Sequence, residues 1–402
     1  MKNHTKFKIN LDLNIELKSS ELKDIIEAFK KAIILCFQDF VKQALFYFSQ
    51  EYMKSGELAK MLGSKKVTWK TSKGNKSTQI KTIFGTIHVP QIQARIFETG
   101  KRKMITRILL GIEPYKRIPE ITIKALGLMG ALASYRVVKK IASMFTSVGF
   151  SLMTILRCIR KTGEMINFEI DEKERNVFDS DGTGLPIKSS GKRGKELKIL
   201  AQRKKNGKIK ISGMSIGSYK GGWDKLFKPL KLSLKKFKEI ILVTDGDASI
   251  LKGLKGIKVI LQRCLFHVPY ETKYKLWQDK VKRKSLEWKY ILTRIIDICN
   301  VKKIKEDESI AYELIKVKKE RLKELVKYCS DNDYKKTAGY LENAQNDIFS
   351  GIEKKVMGVT TSLLERMMRT LNMRINVGQW STQSALAVCK IRGAYYYNGF
   401  DV

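Results

Sequence analysis

The stretch NVFDSDGTGLP, Asn176 to Pro186, decides how this chain is read. An apolar pair, Val177 and Phe178, leads into two aspartates one residue apart, Asp179 and Asp181, and Gly-Thr-Gly follows. Apolar residues ending in acids are the pattern of a strand that emerges from a core. Three readings are open at this point. Asp179 and Asp181 fit a nucleophile with its general acid two residues on. Asp181 fits a metal-holding carboxylate, because metal-assisted phosphodiester chemistry needs convergent acids. An Asp-Gly turn at a strand end needs no chemistry at all.

The bulk properties narrow the choice. A chain of 402 residues, 43% hydrophobic and with only 6 prolines, has room for two or three domains with a sizeable core. Its 79 Lys and Arg against 40 Asp and Glu leave a net charge of +39. Such an excess favours a polyanionic partner, nucleic acid before an anionic membrane surface, because cations near phosphates release counterions. No run reaches the ~18 consecutive apolar residues of a membrane span. The first residues are polar and lack a signal-peptide core, so the expected location is the cytoplasm. Six scattered cysteines without a CxxC point to reduced thiols. Three histidines exclude a His-rich zinc site.

Working outward from Asn176, the texture is that of a sheet with short helices. ELKILAQ (196–202) and KIKISGMSIGSY (208–219) read as strands, and Gly222 to Leu230 as a short helix. EIILVTD (239–245) is a buried strand ending in Asp245; Ala248 to Leu254 suits a helix, and IKVILQ (257–262) is another buried strand. Residues 268–348 are charged and helical throughout. A last helical block starts at Thr360 and runs, with a break near Gly378, almost to the end.

Upstream, residues 20–54 read as an amphipathic helix, with Ser20 as N-cap and Leu22, Ile25, Ile26, Phe29 and Ile33 at helical spacing. The basic stretch Ser64 to Lys81 fits a solvated loop or a segment lying on DNA, and TIFGTIHVP (82–90) alternates like a short strand or hairpin. Helix 133–145, the turn TSVGFS and helix 152–165 trace the outline of a helix-turn-helix, with Arg157 and Arg160 on the second helix. Any helical hairpin shares that outline.

The candidate metal ligands are Asp181 with its neighbour Asp179, the strand-end Asp245, and Glu365 on the last helical block. Each has a plain structural alternative. Asp-Gly at 181–182 is a common turn, Asp247 would cap the following helix, and Ser362 with Glu365 forms the capping-box pattern SLLE.

Order and context favour chemistry. The strand order is similar to that of ribonuclease H, and four segments carry a resemblance to the Mutator-type DDE transposases of bacterial insertion sequences: SDG at 180–182, TDGDASI at 244–250, QRCLFH at 262–267 and TTSLLERMMRTLNMR at 360–374. The resemblance covers residues 172 to about 395 well and the N-terminal half more loosely. It implies that Asp181, Asp245 and Glu365 are catalytic and hold two Mg²⁺ or Mn²⁺ ions, with Cys264, His267, Asp179 and Arg366 in support. Ser362 stands where that family has Asn. The implied fold is an RNase H-like mixed sheet with a helical insertion at about 268–350, within a domain spanning 172–402. A helical and short-β region (1–110) and a helical region with the helix-turn-helix outline (111–171) precede it. The implied partners are double-stranded DNA, both terminal inverted repeats and target, and at least one further copy of the chain on that DNA, with no membrane.

The segment Lys188 to Lys210 holds ten Lys or Arg against one Glu and reads as a hairpin at the rim of the site. Its Lys192, Arg193, Lys195, Arg203, Lys204 and Lys205 are candidate phosphate contacts, or a merely solvated face. Trp277 and Trp288 fit the core of a helical bundle or a stack on an unpaired base. Two rival functions remain: an inactive or non-enzymatic DNA-binding protein, and a haloacid dehalogenase-type phosphatase with Asp179 as nucleophile and Asp181 as acid. The basic hairpin after the first strand and the charge of +39 weigh against the phosphatase.

Overall fold

The computed structural model describes residues 13, 15–71, 77–113, 116–145, 149–187, 195–219, 221–247, 249–301, 308–354, 356 and 360–400. The chain is mixed α/β and divides into two compact units, Met1–Thr162 and Gly163–Asp401.

The first unit opens with α1 (Leu22–Lys54) and α2 (Glu57–Met61), then β1 (Val67–Thr71), β2 (Ser77–Thr82), β3 (Gly85–Pro90), β4 (Ile92–Ile96), β5 (Arg102–Met104) and α3 (Thr106–Leu109). Strands β2 and β3 form the expected hairpin. Helix α1 lies on it: the Gln38 side-chain oxygen accepts the His88 N–H at 3.1 Å, and the Phe37 and Phe84 rings stand 5.0 Å apart. Gly85 has a positive φ of 143°, and a Cβ there would come within 3.1 Å of Ile34, so the hairpin turn needs glycine. The basic stretch at 64–81, read as a loop, instead supplies β1 and most of β2. Antiparallel pairing of Val67–Thr71 with β4, whose Ile92, Ala94 and Ile96 are buried, outweighs local polarity. Strand β5 completes that sheet in the order β1-β4-β5.

Among the described residues, α1 is the one helix with the length and apolarity of a membrane span. Lys23, Asp24, Glu27, Lys30 and Lys31 interrupt its first turns, which is why no unbroken apolar run is present in the sequence.

Helices α4 (Glu120–Leu132), α5 (Tyr135–Phe145) and α6 (Leu152–Met165) follow. The two helices of the helix-turn-helix outline are therefore present; residues 146–148 of the turn lie outside the described residues. Helix α6 presses closely on α4, since a Cβ at Gly127 would fall 2.3 Å from the Thr162 hydroxyl. The buried side chains of α6 include Ile155, Cys158, Ile159 and Thr162, spaced for one helical face.

The second unit is built on β6 (Val177–Leu185), β7 (Lys195–Arg203), β8 (Ile209–Ser218), α7 (Asp224–Phe227), α8 (Lys231–Leu234), β9 (Ile240–Thr244), α9 (Ser249–Gly253) and β10 (Val259–Arg263). The strands and the helices α7 and α9 are those expected from the sequence, in the expected order; α8 is an added helix before β9. The sheet runs β10-β9-β6-β7-β8, with β10, β9 and β6 parallel and β7 and β8 antiparallel. Helices α7 to α9 cover one face through Trp223, Leu226, Phe227, Leu234 and Ile250.

Helices α10 (His267–Gln278), α11 (Leu286–Cys299), α12 (Glu308–Asp331), α13 (Lys335–Ala344) and α14 (Ser350–Glu353) form the insertion, with a core of its own around Val268, Leu276, Ile291, Ile295, Leu322 and Leu341. Its return is clamped to β10. Arg263 donates to both Asp347 oxygens at 2.7 and 2.8 Å, and Gln262 donates to the Ile348 carbonyl and accepts from Gly351 N–H, both at 2.7 Å. Helices α15 (Ser362–Ile375) and α16 (Thr382–Gly393) then close the unit.

Candidate active site

Strand β6 carries the opening stretch, and its ladder explains the site. It pairs with β9 only as far as Asp179 opposite Val243, then continues with β7 alone through Leu185. Asp181 is therefore not at a strand end, and Asp-Gly makes no turn here. It lies where β6 and β9 part, at the carboxyl ends of the parallel strands, which is where open α/β sheets place their ligands. A Cβ at Gly182 would sit 2.4 Å from the Glu196 carboxyl carbon, so a side chain there would have to displace the Glu196 carboxylate.

Asp179 has a different fate from its neighbour. It is fully buried, and Arg203 donates to it through Nε at 3.0 Å and through Nη2. Burial raises its pKa, against the pull of Arg203. A carboxylate locked to a guanidinium inside the sheet is not a nucleophile, and β6 is flanked on one side by an antiparallel partner. The Asp179–Arg203 pair weighs against the phosphatase reading, which needs a free carboxylate at Asp179.

The same pair corrects the reading of Arg203 as a phosphate contact. Arg203 is 8% exposed and also donates to the Thr360 carbonyl at 3.2 Å, tying β7 to the segment that leads into α15.

Glu365 arrives from α15. The capping box does not form: Thr361 is the N-cap residue and makes no side-chain cap hydrogen bond. Its N–H and hydroxyl instead donate to Cys264 Sγ at 3.2 and 3.3 Å, and the hydroxyl lies 3.4 Å from His267 Nδ1. That contact leaves Glu365 to turn toward the sheet. Ligand atoms of Asp181, His267 and Glu365 all lie within 4.8 Å of one another. His267 Nε2 stands 3.4 Å from Glu365 Oε1, an ion-pair distance without hydrogen-bond geometry, and that oxygen is buried with no hydrogen-bond partner.

The electrostatics are coupled. Burial, and then the charge of Asp245, push the Asp181 carboxyl up to about 7. Hydrogen bonding to Cys264, and then the charges of Cys264, Asp181 and Glu365, lift His267 to about 9 against its burial. The Cys264 thiol is lowered: burial works against this, and hydrogen bonds with His267 and Thr361 outweigh it. The imidazolium thus sits as a cation among carboxylates. An orphaned buried oxygen on Glu365 beside a second carboxylate fits a divalent cation of the Mg²⁺ or Mn²⁺ kind, and the His267 ring can add a nitrogen ligand, favouring Mn²⁺, only once it has given up its proton.

Asp245 stands just past the end of β9, level with Asp181 by the register of the two strands, but outside the 4.8 Å group. Its Oδ1 accepts from the Thr244 hydroxyl at 3.1 Å and from Asp247 N–H at 3.0 Å. Asp247 holds the start of α9, accepting from Ser249 N–H at 2.9 Å, and also accepts from the Trp223 indole at 3.1 Å. Next to these acids lies a pair that sequence reasoning passed over. Lys198, fully buried on β7, is ion-paired to Glu196 and lies 4.1 Å over the Trp223 ring. Burial raises Glu196, and Asp245 and Asp247 add to the rise against the pull of Lys198. The one signal for this pair was a Glu and a Lys within an otherwise apolar strand pattern, KELKILAQ.

The remaining candidates scatter. Arg366 is exposed on α15 and Lys195 half-buried at the start of β7. Lys192 and Arg193 lie outside the described residues. Lys204 and Lys205 belong to the tight turn between β7 and β8, where Lys204 N–H donates to the Lys208 carbonyl at 2.8 Å. That turn is at the end of the sheet where β6 begins, opposite the end from which Asp245 emerges, so this half of the basic segment is not at the rim of the site.

In the first unit, Arg160 is half-buried on α6, and Arg157 is exposed. Arg157 joins Lys81, Lys116, Arg117 and Lys161 around a cleft of about 350 Å³, with no carboxylate among its described lining residues. A scan against models of protein families finds no match for this chain, and a search among curated proteins finds none.

Proposed function

We propose that this chain is a DNA transposase of the Mutator-type DDE class, with an RNase H-like catalytic domain. The observation that carries the reading is the convergence of Asp181 and Glu365, from β6 and α15, beside Asp245 at the end of the neighbouring parallel strand. Three acids from distant segments at one edge of a mixed sheet suit phosphodiester chemistry on a polyanion, and the charge of +39 suits the same partner.

On this reading Asp181, Asp245 and Glu365 hold two Mg²⁺ or Mn²⁺ ions. Bound divalent ions supply an activated water or 3′-hydroxyl and neutralise charge at the scissile phosphate. The chain's own residues do the rest. Thr361 and Cys264 orient the His267 ring, and His267 holds the Glu365 carboxylate in place. Arg203, through Asp179 and the Thr360 carbonyl, fixes the approach of α15 to β6. The element ends are cut by hydrolysis, and the freed 3′-hydroxyls are joined to target DNA at the same site, with at least two copies of the chain bridging two ends. Cations around the first-unit cleft contact the DNA backbone.

Strand cleavage and joining with the element ends and Mg²⁺ or Mn²⁺ tests the proposal. Asp181→Asn, Asp245→Asn and Glu365→Gln are each expected to lower cleavage by at least roughly a thousandfold while DNA binding persists. Wild-type rates in any of the three would remove that residue from the triad. Binding without cleavage by the unaltered chain, with either ion, would leave a non-enzymatic DNA-binding protein.

A further inference from the structure

Helix α10 begins at His267, and its two faces differ sharply. Val268, Thr272 and Leu276 are buried against the insertion. On the other side Tyr270, Tyr274 and Trp277 are 67%, 48% and 66% exposed, and Phe266, just before the helix, is 58% exposed. Positions 266, 270, 274 and 277 are four, four and three residues apart, so the rings form one ridge along the helix. It runs roughly 16 Å outward from the carboxylate group, at 1.5 Å per residue.

A solvated helix face ordinarily carries Lys, Glu and other polar residues, and large rings in a row mark a contact surface. The Tyr274 and Trp277 rings stack at 5.7 Å with planes 24° apart. The surroundings are cationic. Lys273, Lys280, Lys282, Arg283 and Lys284 are exposed around the ridge and the turn that follows it. Of the acids near the ridge, Glu271 pairs with Lys275 at 3.1 Å, Asp279 accepts from Lys336 N–H, Thr337 N–H and the Thr337 hydroxyl, and Glu287 is exposed in the first turn of α11. Apolar rings flanked by cations suit unpaired bases on the rings and phosphates on the lysines. A second copy of this chain, itself at +39, would meet the same rings but be repelled by the excess of cations.

We infer that the ridge Phe266, Tyr270, Tyr274 and Trp277 is a stacking surface for single-stranded nucleic acid leading from the carboxylate site. The inference rests on the reading of that site as acting on nucleic acid, yet its test requires no cleavage. The full chain is titrated, without divalent ions, into a fluorescein-labelled single-stranded oligonucleotide of mixed sequence and into the duplex of the same sequence, with anisotropy as the readout.

Trp277→Ala, and separately Tyr270→Ala with Tyr274→Ala, are expected to weaken single-strand binding roughly tenfold while duplex affinity stays within about twofold. Trp277→Phe should restore most of the loss, because a ring still stacks. The slope of affinity against salt should not change, since no cation is removed.

Alanine variants that bind the single strand as the unaltered chain does overturn the inference. So does a change in sedimentation on substituting the rings with single-strand affinity intact, which would make the ridge a protein contact. These results are separable from the cleavage assay: Asp181→Asn and Glu365→Gln leave the ridge in place, and the ring variants leave the carboxylates in place.

Discussion

At the residue scale, two aspartates two positions apart on one face of β6 have opposite roles, and the difference lies in what stands opposite them. Asp179 meets Arg203 and becomes structural; Asp181 meets Glu365 and His267 at the parting of two strands. Removing one partner of a buried pair leaves an uncompensated charge, so Arg203→Ala is expected to cost about 3–5 kcal/mol. Urea unfolding of the full chain followed by tryptophan fluorescence checks this, and a loss below about 1 kcal/mol would contradict the buried pair. Asp181 makes a second prediction. Its carboxyl is held up to about 7 by burial and by Asp245, so below that pH it carries a proton that a cation must displace. Mn²⁺ affinity measured by calorimetry should therefore fall as pH drops through about 7, and above 7 it should go on rising, less steeply, until His267 loses its proton near 9. An affinity indifferent to pH across that range would detach Asp181 from the cation site.

At the element scale, the helices and strands that local pattern announces are present, and the departures have physical causes. The second unit alternates strands with short helices, and its central parallel strand β9, IILVT, is buried at every position and is written as a nearly unbroken apolar run. In the first unit β1, β4 and β5 are short and partly polar, so their pairing, not their composition, makes them strands. The SLLE pattern announced a capping box, but the Thr361 hydroxyl found Cys264 and His267 instead, and the helix start became part of the site. Trp288 packs against the insertion core as a bundle residue would, whereas Trp277, one helix earlier, faces out.

Helix α6 carries its own prediction. Arg157, with Arg117 from the segment before α4, is exposed at the basic cleft. Replacing each by Gln should weaken duplex binding regardless of sequence and reduce the slope of log affinity against log salt by about one per cation. Unchanged slopes would place the DNA elsewhere.

For the whole molecule, +39 is the dominant physical fact. Chain purified at low salt is expected to carry nucleic acid, seen as an elevated ratio of absorbance at the nucleic-acid maximum to that at the protein maximum, and to lose it in high salt as counterions compete. A preparation free of nucleic acid at low salt would argue against a polyanionic partner. From the sequence alone came the charge, the order of strands around NVFDSDGTGLP, the helical insertion and the three acids Asp181, Asp245 and Glu365 as candidates. Those features are local or additive: periodicity, composition and an acid after an apolar run can be read without knowing what lies across the sheet. Only the tertiary structure decided that Arg203 neutralises Asp179, that His267 joins Asp181 and Glu365 ahead of Asp245, that Lys198 and Glu196 sit beside the acids, and that Trp277 faces solvent. Each of those depends on strand register and on the approach of α10 and α15 to the sheet, and a side chain's partner across that distance is selected by packing, which no local pattern records.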